Sequence, residues 1–123
     1  MIDVYIIIVF SITENAWTEA SSEEKRKTCL EETKFHHTYN KHKNLDNIDY
    51  KLLLPICTEA LASYPNDKNL LFGLGRVHES NKEYKKAMDY MLRAYNNGSG
   101  DAASEIGTFY YYGYGVETSN ELS

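Results

Sequence analysis

One stretch of this chain repeats another at a fixed distance. "YKLLLPICTEAL" (50–61) and "YKKAMDYMLRAY" (84–95) both open with Tyr-Lys and carry an alanine near the end. The step from Tyr50 to Tyr84 equals the step from Ala60 to Ala94. A period of this size marks a supersecondary unit that buries its apolar face by stacking on copies of itself. A second echo follows: "LFGLGRVH" (71–78) returns as "ASEIGTFY" (103–110). Gly75 and Gly107 lie slightly closer together than the first pairs do, so the second junction is the shorter one.

Both halves of the unit carry a helical pattern. Residues 83–96 place Tyr84, Ala87, Met88, Met91, Ala94 and Tyr95 on one stripe at spacings of three and four, with Lys85, Lys86, Asp89 and Arg93 outside it. Asn97-Gly98 supplies a left-handed stop. The preceding helix, about 69–80, buries Leu70, Leu71, Leu74 and Val77, and Gly75 permits close approach of another helix. "ESNKE" between the two is a short polar turn, which predicts antiparallel neighbours. Pro55 lies inside the 50–61 pattern and predicts a kink or a later start, near residue 54. "YYYGYGV" (110–116) is the end of a helix of about 101–112: no strand precedes its glycines and no phosphate-loop frame is present. Tyr110 is expected to pack inward.

The stretch "RAYNNGSGDAASEIGTFYYYGYGVETSNE" resembles a Sel-one-like repeat, a relative of the tetratricopeptide repeat. The resemblance rests on Ala94, Gly98, Ala102, Ile106 (in place of Leu), Gly107, Tyr110, Gly113, Gly115 and Val116. Residues 50–97 resemble the shorter tetratricopeptide form through Leu74, Gly75, Ala87 and Ala94, and the Tyr50-to-Tyr84 step matches that family's period. The resemblance implies a right-handed α-solenoid of antiparallel helix pairs, about two and a half units within residues 48–123. It also implies that the first helix of each pair lines the inner side and that the chain binds protein or peptide without catalysis. Helical geometry then puts Asn69, Phe72, Arg76 and Glu79 on that side. Asp101, Ser104, Thr108 and Tyr111 follow in the next unit, with Tyr112 beside them. Phe72, Arg76 and Tyr111 are the expected anchors, because aromatics and Arg dominate protein interfaces. A stack ending at the first member of a pair leaves Ala103, Ile106 and Tyr110 short of cover and favours weak self-association.

Ahead of the repeats the chain shifts abruptly from apolar to charged. Val4 to Ile12 form an apolar run of secretory-leader length, too short to span a bilayer as a helix. It predicts a signal peptide over 1–20, cleavage between residues 17 and 22, and an exported protein. Asp3, with no Lys or Arg at the start, departs from that pattern; a buried strand in a cytoplasmic protein is the alternative. Residues 21–47 form an N-terminal segment carrying Cys29. In an oxidising compartment Cys29 and Cys57 form a bridge; in the cytoplasm they are two buried thiols. The wider layout also resembles exported bacterial repeat proteins of this type, and that resemblance implies one cysteine before the first unit and another in its helix.

Other chemistries are poorly supplied. A net charge of −5 with interleaved signs offers no footprint for nucleic acid. His36, His37 and His42 sit at spacings that share no helical face, and no carboxylate or cysteine completes a metal set beside them, so no metal or cofactor is expected. Adjacent acids such as Glu23-Glu24 diverge by about 100° on a helix and cannot share a substrate. The alternatives to a binding scaffold are a non-binding structural segment of a longer repeat protein and, more remotely, a metal-dependent enzyme using the histidines.

Overall fold

The computed structural model describes residues 21–34 and 45–115. Among them the chain is all-α: helical residues 21–32 (α1), Tyr50–Ser63 (α2), Lys68–Ser80 (α3), Tyr84–Asn96 (α4) and Gly100–Tyr112 (α5), with no strand. The proposed leader (residues 1–20), His36, His37, His42 and Val116 lie outside the described residues.

Side-chain caps set where three of the helices begin. Asp49 accepts from the Leu52 amide at 3.2 Å and starts α2 at Tyr50. Asp67 accepts from the Asn69 and Leu70 amides at 2.9 and 3.1 Å, and Ser99 Oγ accepts from the Ala102 amide at 3.1 Å. Such caps are each worth about 1 kcal/mol. The Asp49 cap also overrides the later start expected from Pro55. The proline sits inside α2 on its exposed side, and the Lys51 carbonyl it deprives of a partner belongs to an exposed residue.

α4 and α5 end in left-handed glycines. Gly98 (φ 98°) and Gly113 (φ 74°) follow α4 and α5, and the next amides return to the helix: Ser99 to Ala94 at 2.9 Å and Tyr114 to Phe109 at 2.8 Å. The tyrosine-glycine stretch is therefore a helix stop, as expected. Its continuation folds back onto the start of α4, where Tyr114 stacks on Tyr84 at 4.3 Å. A Cβ on Gly115 (φ 68°) would come within 2.5 Å of the Tyr84 carbonyl oxygen, so only glycine fits that return.

One cluster holds most of the core: Leu53, Cys57, Ala60 and Leu61 of α2, Leu70, Leu71, Leu74 and Val77 of α3, Met91 and Ala94 of α4, and Ala102 of α5. Each buried Leu or Val contributes about 1.5–3 kcal/mol relative to exposure. A smaller cluster joins Ala87, Met88 and Phe109. α3 packs against α2 and α4, and α5 packs against α4. Gly75 faces Met91, whose Cε would lie 2.7 Å from an added Cβ, so its expected role in close helix approach holds.

Two stripe residues depart from expectation. Tyr95 is 54% exposed, because Ala87, Met91 and Ala94 already fill the line facing the core. Tyr110 is 58% exposed, and Phe109, one residue earlier, is the fully buried ring of α5.

Candidate functional site

α1 is the element that residues 21–47 conceal, and it shapes the candidate site. It is joined to α2 by the Cys29–Cys57 disulfide (Cα–Cα 5.2 Å), both cysteines fully buried. Arg26 Nε donates to Asp67 Oδ2 at 2.8 Å, tying α1 to the cap of α3. Burial pushes the Asp67 carboxyl up, yet the Arg26 guanidinium and the two capping amides outweigh it and hold the group below the usual carboxylate range. Gly73 lets α1 touch α3: an added Cβ there would stand 2.5 Å from Thr33 Oγ1.

Arg76 closes this contact. Its Nη1 donates to the Thr33 and Lys34 carbonyl oxygens at 2.8 and 2.9 Å, satisfying acceptors at the C-terminal end of α1. Burial pulls the guanidinium's pKa down, opposed by the carboxylates of Glu79, Glu105 and Asp101. Arg76 stays charged regardless.

The expected surface on α3 is corrected accordingly. Asn69 is exposed, but Phe72 (6%), Arg76 (1%) and Glu79 (8%) are buried: the end of α1 meets Arg76 where open surface was expected, and carboxylates of α5 face it from the other side. On α5, Ser104 is exposed, Thr108 half-buried, and Tyr111 and Tyr112 exposed. Fully buried Glu105 is the residue missed; it follows Asp101 by one helical turn, and that spacing was the available signal.

What remains open is a cavity of about 400 Å³ lined by Leu30, Glu31, Thr33, Lys34, Asn69, Phe72 and Asp101. It thus draws on α1, α3 and α5 together. Leu30 and Phe72 give it apolar surface, while Glu31, Lys34, Asn69 and Asp101 supply charge and hydrogen-bonding groups. Pockets of this size and mixture fit a side chain or short peptide segment. Tyr111 and Tyr112 are not among its lining.

A polar network lies on α2, α3 and α4. His78 Nδ1 is 3.0 Å from Glu83 Oε1, and the His78 ring stacks on Tyr90 at 5.4 Å. Hydrogen bonds from Tyr50 and then His78 hold the Glu83 carboxyl down to about 2. His78 is therefore a packed, partnered side chain. No group of three or more His, Cys, Asp or Glu side chains among the described residues is placed to hold a metal ion. No helix among them is long and apolar enough to cross a membrane. No family model, curated protein or solved structure matches the chain.

Proposed function

We propose that this chain is a protein- or peptide-binding scaffold that catalyses nothing, built from tetratricopeptide-like and Sel-one-like helix pairs in a right-handed solenoid. In this reading α1–α2 and α3–α4 are pairs, and α5 opens a third. The cavity carries the reading, because its lining comes from α1, α3 and α5, the first helix of each pair. A buried disulfide between α1 and α2 suits an exported protein.

The anchors move with the geometry. Phe72 forms part of the cavity wall and Arg76 braces α1 behind it, leaving Glu31, Lys34 and Asn69 as the exposed recognition side chains. The test is peptide display against the immobilised oxidised chain, followed by titration of enriched peptides. Glu31→Arg with Asn69→Arg should weaken them at least tenfold while the circular dichroism spectrum stays unchanged. Failure of any peptide to enrich, or equal binding by the double variant, overturns the reading.

A further inference from the structure

A second cavity, of about 460 Å³, opens between α2, α3 and α4, a volume in the range of small-molecule sites. Leu54 and Thr58 of α2 line it with His78 of α3 and with Asp89, Tyr90 and Arg93 of α4. Its opposite charges are held apart. Asp89 and Arg93 stand four residues apart on one face of α4, acid first, the order that usually closes an ion pair. Here neither residue has an ion pair among the described residues. The Arg93 guanidinium lies over the Tyr90 ring at 5.2 Å instead. Stacking uses the face of a guanidinium and leaves its in-plane N–H groups for an acceptor.

His78 adds an acceptor to the same cavity. Hydrogen bonds from Tyr50 and His78 keep the Glu83 carboxyl ionised at neutral pH, so Glu83 accepts from His78 Nδ1 at 3.0 Å. Nδ1 therefore carries the proton of the neutral ring, and Nε2 keeps a lone pair. The ring is buried and fixed, with Tyr90 stacked on it at 5.4 Å and Tyr50 edge-on at 6.2 Å. Nε2 has no hydrogen-bond partner among the described residues. A buried side chain with one nitrogen unpaired on a cavity wall calls for a donor from within the cavity. Two acceptors, Asp89 and His78, thus share the space with one planar cation, and half-buried Leu54 adds apolar surface.

We propose that this cavity binds a free α-amino acid with an apolar side chain. The ligand's ammonium sits between Asp89 and His78 Nε2, its carboxylate takes the in-plane donors of Arg93, and its side chain rests on Leu54. Such a zwitterion answers both charges that α4 holds apart. A phosphate or dicarboxylate would meet Asp89 with the wrong sign, and a simple amine would leave Arg93 unanswered. Ammonium and carboxylate share one carbon in a free amino acid and at no position inside a polypeptide. Internal segments of this chain therefore cannot supply the match. The site is separate from the groove of α1, α3 and α5.

The probe is L-leucine, titrated into the full oxidised chain and followed by amide chemical shifts. Saturable shifts centred on residues 54–58, 78 and 86–93 are expected. N-acetyl-leucine lacks the ammonium and leucine amide lacks the carboxylate, so each should bind at least tenfold more weakly. Asp89→Asn and Arg93→Lys should each weaken leucine several-fold. Both side chains are exposed, so the melting temperature should stay unchanged. Glu31→Arg with Asn69→Arg should leave leucine binding intact, and its loss there would contradict a separate site. No saturation at millimolar leucine, or indifference to both α4 variants, overturns the proposal. So does equal binding of N-acetyl-leucine, which would make the cavity a plain carboxylate site.

Discussion

Lys82 is the one residue other than glycine with a positive φ among the described residues, at 59°. It follows α3 where Gly98 follows α4 and Gly113 follows α5, and the Glu83 amide returns to the His78 carbonyl at 2.9 Å. A side chain in this conformation costs about 1 kcal/mol that glycine avoids. Lys82→Gly should therefore raise unfolding free energy by about 0.5–1 kcal/mol, less the extra chain entropy of glycine. Urea denaturation checks it; an unchanged or lower midpoint would mean Lys82 has compensating contacts. The neighbouring Glu83 gives a pH prediction. Its folded pKa is depressed to about 2 by Tyr50 and His78, so its contribution is complete above the ordinary carboxylate value and disappears as pH falls through about 2. Melting temperature should fall less steeply between pH 5 and 2 in Glu83→Gln than in the parent chain. Parallel curves would show that the network does not couple to folding. The left-handed glycines were legible in the sequence because that conformation nearly demands glycine. Lys82 was not, because nothing local distinguishes a lysine that tertiary contacts hold there.

At the scale of elements, the helices with alternating apolar stripes were readable to within a turn, and α1 was not. "SSEEKRKTCLEE" carries few apolar residues, and α1 is held instead by a disulfide, by Arg26 on Asp67 and by Arg76 on its final carbonyls. Those contacts join residues far apart in the chain and leave no periodic trace. The same cause explains the misplaced anchors: once α1 exists, Phe72 and Arg76 are interior. Two predictions follow from how α1 is held. Arg76→Met should destabilise the chain by about 2–4 kcal/mol, by stripping the buried Thr33 and part-buried Lys34 carbonyls of a charged donor and nearby carboxylates of their cation. A loss under about 1 kcal/mol in chemical denaturation would place α1 outside the cooperative unit. Replacing Cys29 and Cys57 together by Ala removes a cross-link with a sequence separation of 28, worth about 3–4 kcal/mol in the chain-entropy picture. An identical denaturation midpoint for the double variant and the oxidised parent would overturn that estimate.

Across the whole molecule, helices differ in how many neighbours cover them. α3 is packed by α2 and α4 and braced by α1, α4 is packed by α3 and α5, and α5 packs chiefly on α4 while its Glu105 and Asp101 carboxylates face Arg76 of α3. Where helices are covered unequally, the element with the least packing opens first. Native-state hydrogen exchange should therefore rank protection α3 above α4 above α5, with Gly100–Tyr112 opening at a free energy below that of global unfolding. The aromatic return at Tyr114 moderates the effect by clamping the end of α5 to Tyr84. Gly115→Ala, which drives a Cβ into the Tyr84 carbonyl at a positive φ, should release that clamp. It should speed exchange in α5 while leaving α3 nearly untouched. Equal protection of α5 and α4 in the parent chain, or uniform acceleration across all helices in the variant, would show that the molecule unfolds as one unit.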